Sequence, residues 1–333
     1  MGEWQRIFVQ NLTVPPHNQR RRHSPPREST AFQFILKSVE GDALKLTVYF
    51  HTSLDYPSIV LVVEVVATAR RRDGTPQEMS CGFGIVHLFN SRSEPTNLNL
   101  KDKGLSLYHG TPRALLHPLL QEPIEMNKNL MVIDSCHLQC SLQPHPPLEA
   151  VYHLLPENTL VSSLQRIPGM LAAHEGDLFQ KPRLMKTVTW YLEKLSIHLY
   201  PSLERFEEEL LELLMSDQGN SMLDGNTLAV QERRLHIGVH NGFCFVQPPQ
   251  VVVVVPEAEV ARGRTGSLQR KQGAGVRPSS EGQALVLRSR IHLTEMVHHP
   301  AFGVVLLLEY VFSVASGPDG KVCVASAVTS LVA

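Results

Sequence analysis

Apolar and polar positions alternate along much of this chain with the two-residue period of strands rather than the period of helices. Leu44, Leu46, Val48 and Phe50 alternate with Lys45 and Thr47, which predicts a strand with one face turned to a core. Ile59 to Val66 is an almost unbroken Val-rich run, the pattern of a strand covered on both faces. Cys81 to Phe89 sets Gly82 and Gly84 among apolar residues and predicts a strand that bends or lets another backbone come close. Between Val132 and Leu142 the even positions Val132, Cys136, Leu138, Cys140 and Leu142 share one strand face, which turns both cysteines inward. Leu235, Ile237 and Val239, then Asn241-Gly242, then Phe243 and Phe245 predict a hairpin closed by a tight turn. Val251 to Val255, Ala284 to Leu293 and Phe302 to Phe312 supply further strands. The pattern is that of a mainly β protein built from β-sandwiches.

One segment breaks the pattern. Leu203, Phe206, Leu210 and Leu213 follow helical spacing, and Glu204, Glu207, Glu208, Glu209 and Glu212 surround them. The spacing predicts an amphipathic acidic helix near 202–215, with Ser202 as its N-cap. Such a helix either packs on its own domain or docks a partner. Two stretches read as long mobile loops: Pro15 to Pro26, with Arg20 to Arg22, and a basic, Gly/Ser-rich loop over 262–283. Within the second, Ser267 follows Arg264 and precedes Arg270 and Lys271, which makes it a candidate regulatory phosphosite for a basic-directed kinase. A weak repeat also runs through the chain. Pro57, an apolar run through Glu64 and the turn Asp73-Gly74 are echoed by Pro300, a run through Glu309 and Asp319-Gly320.

Composition narrows the chemistry. At 333 residues the length suggests two domains, and a formal net charge of −1 gives no overall field towards nucleic acid or anionic membrane. Five irregularly spaced cysteines argue against a disulfide framework and for a reducing compartment. Trp4, Gln5 and Arg6 stand where a signal peptide needs apolar residues. The apolar runs are too short for a membrane span. Gly-x-Ser-x-Gly, a phosphate-binding loop, His-Glu-x-x-His and Cys-x-x-Cys are all missing from the sequence. The nearest metal candidate is Cys136-x-x-x-Cys140 with His137, and on a strand His137 points away from both cysteines. The aspartates Asp42, Asp55, Asp73, Asp102 and Asp134 are scattered singly, unlike a calcium site. The expectation is no catalytic, cofactor-binding or metal residue. Glu64 and Glu309 lie inside apolar runs, where a carboxylate is expected at a strand end or beside a basic partner.

Longer stretches carry a family resemblance. Trp4 to Phe8, Tyr49 to Leu54, Ser80 to Ile85, Leu107 to Leu120, His153 to Asn158, Tyr200 to Leu213, Val239 to Gln247 and His299 to Phe312 resemble, in order, the N-terminal region of the nephrocystin-4 family. The resemblance implies a C2-like fold and a non-enzymatic scaffold of the ciliary transition zone and basal body. The cytoskeleton and cell junctions are further implied sites, and nephrocystin-1 and other transition-zone proteins are the implied partners. Links to Hippo signalling and actin organisation are also implied, whereas nucleic acid is not, and membrane contact is at most peripheral. The expected fold is mainly β, with C2-like or immunoglobulin-like β-sandwich domains, laid out as an N-terminal C2-like β-sandwich over 1–147 and a second β-rich region over 148–333. Against the family pattern the chain is shortened near 37–46 and stops early at Ala333, as a truncated or alternatively spliced form would. The alternative function is a calcium-independent membrane-associating module using Arg20 to Arg22 and the basic loop.

Overall fold

The computed structural model describes residues 29–39, 42–99, 104–116, 127, 130–172, 176–217, 227–264, 283–315 and 326–332. The chain divides into two compact units that meet in sequence at Leu184 and Met185. The sequence predicts a boundary after residue 147. There the 3-10 helix Pro146–Leu154 buries Leu148, Val151 and Leu154 and packs on strands of the first unit.

The first unit holds β1 (Thr30–Val39), β2 (Asp42–Thr52), β3 (Val60–Arg70), β4 (Pro76–His87), β5 (Leu98–Asn99), β6 (Leu105–Tyr108), β7 (Val132–Pro144) and β8 (Val161–Ser162). They form one sheet in the order β3-β4-β6-β7-β1-β2-β8, with β5 on β7. The sheet curls so that one face closes on itself. Phe32, Phe34 and Phe50 from β1 and β2 share a core with Leu61, Val86, Leu107, Cys136, Leu138, Cys140 and Leu142. Phe32 stacks on Phe50 at 5.4 Å and meets the edge of Phe89 at 5.6 Å. Between β1 and β2 the chain reverses from Val39 to its partner Asp42, inside the region where the family resemblance implies a shortening.

Several strands depart from the simple pattern, each for a local reason. β3 is an edge strand: Val66 is 46% exposed and Glu64 points to solvent, so the Val-rich run is not covered on both faces. In β7 the even positions from Cys136 to Leu142 are buried and His137 is exposed, but Val132 is exposed and Ile133 reaches the core instead. A bulge causes the switch. Ser106 pairs with His137 and Tyr108 with Val132, and the extra residues include Ser135 at φ 63°, which exchanges inward for outward positions. Gly82 and Gly84 behave as expected. A Cβ on Gly82 would lie 2.9 Å from the Tyr108 carbonyl oxygen and 2.7 Å from Ile133 Cδ1, and one on Gly84 would lie 2.9 Å from Leu105 Cδ2.

The second unit contains β9 (Thr187–Leu192), β10 (Ser196–Ile197), α1 (Leu203–Asp217), β11 (Thr227–His240), β12 (Gln250–Pro256), α2 (Glu257–Arg264), β13 (Leu285–Leu287), β14 (Ile291–Val297), β15 (Gly303–Ala315) and β16 (Ser326–Val332). Six strands form a sheet in the order β10-β13-β12-β11-β15-β16, and β14 pairs with β9. The expected single strand over 284–293 is two strands on different sheets. Its middle, Arg288-Ser289-Arg290, is polar and exposed and carries the chain from one to the other. Gly242-Phe243 form the tight turn, Asn241 Oδ1 accepts the N–H of both Phe243 and Cys244, and Val246 N–H bonds back to Val239. Pro248 and Pro249 then interrupt the ladder, which resumes where Gln250 meets Ile237. Of the repeat, β3 with β4 and β15 with β16 are both antiparallel pairs, and Asp319-Gly320 lies outside the described residues.

Candidate functional site

Among the described residues, two groups of buried polar side chains link separate elements, and both hold structure together. On the first unit, the strand face opposite the core carries Tyr49, His51 and Gln33, all buried. Tyr49 Oη accepts hydrogen bonds from Gln33 Nε2 at 2.7 Å and Gln180 Nε2 at 2.8 Å and donates to Asp177 Oδ2. Gln143 Nε2 donates to Gln33 Oε1, and His145 Nε2 bonds the Phe179 carbonyl at 2.8 Å. The rings of His145 and Phe179 flank Tyr49, each with its centroid 4.8 Å away. Burial, reinforced by the Asp177 carboxylate, pushes the Tyr49 phenol above its ordinary range. It stays protonated at neutral pH and serves as a clasp for residues 177–180, not as a base.

On the second unit, cross-strand partners Arg234 and Glu309 sit beside His236 in the middle of β11 and β15. Glu309 is 1% and His236 6% exposed, and Glu309 Oε2 lies 3.0 Å from His236 Nε2 and 4.0 Å from Arg234. The expected basic partner of Glu309 is therefore present, across the strand pair rather than at a strand end. One residue along, Arg233 binds Glu207 of α1, and its guanidinium lies 6.0 Å from the centre of the Tyr310 ring. Phe206 of α1 adds a ring contact to Tyr310. Ser202 caps the helix by accepting the Arg205 N–H at 3.2 Å. The helix thus packs on its own sheet, while Glu204, Glu208, Glu209 and Glu212 stay exposed. Leu213 is exposed as well, because the shielded stripe runs from buried Leu203 through half-buried Phe206, Glu207, Leu210 and Leu214.

Two of the cysteine thiols, Cys140 and Cys244, are shielded from solvent, whereas Cys81 is exposed. Burial pushes the Cys140 thiol up to about 11 and that of Cys244 up to about 12, which keeps both thiols protonated. Among the described residues no three His, Cys, Asp or Glu side chains converge on a point where a metal could sit, and no helix is long and apolar enough to cross a membrane. Ser267, Arg20 to Arg22 and most of the basic loop lie outside the described residues. Sequence reading missed the Tyr49 clasp. Its signal was the pair Tyr49 and His51, polar-tipped rings at the outward positions of a strand whose inward positions already supplied a core.

Residues 188–333 match the family model described as nephrocystin-4 second C2-like domain, which falls within the second unit. Across 99% of its length the chain is 50% identical to human nephrocystin-4, and 42% identical to nephrocystin-4 of Xenopus laevis, also over 99%. The chain is a homologue of nephrocystin-4. It spans 27% of the length of each of these nephrocystin-4 relatives. The human alignment covers 384 positions, so at least 51 of them (384 less 333) have no counterpart in this shorter chain. No solved structure matches it. The mainly β architecture of both units accords with the C2-like description of the nephrocystin-4 model.

Proposed function

We propose that this chain is a non-enzymatic scaffold segment with a nephrocystin-4-like role, helping to organise protein complexes at the ciliary transition zone and basal body and at cell junctions. The observation that carries this reading is 50% identity to nephrocystin-4 along 99% of the chain. The use of buried Tyr49, His236 and Glu309 and half-buried Asp177 in structural bonds supports it, since each holds one element to another. Nephrocystin-1 and other transition-zone proteins are the proposed partners, and links to Hippo signalling, the cytoskeleton and actin organisation extend the same reading. Ser267 is the proposed phosphosite. The test is affinity purification of the folded chain from ciliated cells. Recovery of transition-zone proteins is expected; recovery of none, from a sample with a cooperative unfolding transition, overturns the reading.

Peripheral contact with anionic lipid is the second reading. Leu164, 90% exposed two residues before Arg166, favours it, because an exposed apolar side chain beside a cation suits a headgroup boundary. Liposome sedimentation that does not respond to anionic lipid removes it.

A further inference from the structure

β3 is the end strand of its sheet and, among the described residues, pairs with β4 alone. Its sequence, VLVVEVVATAR, contains neither proline nor lysine, the residues that commonly blunt an open edge. Past the bulge opposite Val65 and Val66 the β3–β4 ribbon leaves the rest of the sheet, since β4 meets β6 at Phe83 and Tyr108. Val66 and Thr68 are exposed on one side of this ribbon, and Ala67 and Met79 on the other. A two-stranded ribbon wet on both faces is marginally stable by itself.

The direction of the free backbone groups can be read from the ends of the strand. Leu88 N–H donates to the Ile59 carbonyl, and Arg71 N–H donates to the Thr75 carbonyl. Odd-numbered residues therefore carry the bonds to β4, and the N–H and C=O of Glu64, Val66, Thr68 and Arg70 point to the open edge. Pro76, which has no N–H, sits opposite Arg70 where none is needed.

We propose that this edge pairs with the same edge of a second copy of the chain, antiparallel, with the two-fold axis between the two Ala67 residues. In that register Glu64 of each copy faces Arg70 of the other, and Val66 faces Thr68. All four are even-numbered, so each pair exchanges both of its backbone hydrogen bonds. Charge selects this register. Sliding the strands until Glu64 meets Glu64, or Arg70 meets Arg70, opposes like charges. Neither Glu64 nor Arg70 has an ion-pair or hydrogen-bond partner for its side chain among the described residues, so both are available to a second copy. Their side chains and those of Val66 and Thr68 share one exposed face, and pairing would continue the sheet across the axis.

Sedimentation velocity of the full chain across the micromolar range tests this. A reversible dimer is expected. Glu64→Arg sets Arg against Arg twice, and Arg70→Glu sets Glu against Glu twice, so either weakens association by on the order of ten-fold or more. The double swap Glu64→Arg/Arg70→Glu restores it. Circular dichroism melts of all variants should match the parent chain, because both residues are exposed and bond no other element. A monomer at every concentration, a dimer indifferent to the single swaps, or a double swap that stays dissociated would each overturn the proposal.

Discussion

Arg233 of β11 holds Glu207 of α1 through two parallel hydrogen bonds, Nε to Oε1 at 2.6 Å and Nη2 to Oε2 at 2.8 Å. Both side chains are largely shielded from solvent, so this clamp fixes the acidic helix to the sheet more firmly than an exposed pair could. Arg233→Met is expected to cost about 2 kcal/mol, read as a lower urea midpoint. Arg233→Lys should recover only part of it, because an ammonium cannot make the two-pronged contact.

Glu309 makes a sharper prediction because it is sealed from water. Glu309→Ala leaves His236 buried without its carboxylate and Arg234 without its cross-strand partner, and should cost about 3 kcal/mol or more. Replacing His236 and Glu309 together with leucine should cost less than Glu309→Ala alone, since no buried charge then remains uncompensated. A double-mutant cycle by chemical denaturation checks both, and additive losses would contradict the coupling.

Acid should loosen the second unit through His240. Its ring is buried, its Nδ1 accepts the Gly242 N–H at 3.0 Å, and burial lowers its pKa from 6.5 to about 4. Between those values the unfolded chain binds a proton that the folded chain does not, so stability is complete above pH 6.5 and falls as pH drops towards 4. The loss is on the order of 3 kcal/mol. Melting temperatures measured from pH 7 to pH 4 should show this slope, and His240→Asn should flatten it.

Gly82 has no room for a side chain. Its φ of 139° is strained for any L-residue, and the added Cβ would press on backbone as well as Ile133. Gly82→Ala should therefore destabilise the first unit by about 2–4 kcal/mol. Gly74→Ala, at φ 82° in an open turn with nothing within 4 Å, should cost only about 1 kcal/mol.

Strand identity was legible in the sequence wherever alternation ran unbroken, as from Cys136 to Leu142, and the helix was legible from its glutamates and Ser202. Position within a sheet was not. Ile59 to Val66 has the composition of a central strand, yet it lies at an edge, because apolar content does not reveal which neighbour is missing. Val132 failed for a different reason: a bulge at Ser135 changes the face without changing the alternation that precedes it. The polar sites were hidden because their members are far apart in sequence. Glu309 stood out as a carboxylate in an apolar run, but its partner His236 is 73 residues away, and only the register of β11 with β15 joins them.

The Tyr49 clasp also bears on what its own face of the first unit can offer to another molecule. A phenol has one proton and two lone pairs; here the proton goes to Asp177 and the lone pairs receive Gln33 and Gln180. Its valence is full. A newcomer at the phenol would have to displace an internal partner before gaining a bond of its own, and Gln33, if displaced, would be left buried without that bond. The phenol is thereby closed to a partner, whereas the backbone donors and acceptors along the open edge of β3 still have unclaimed capacity.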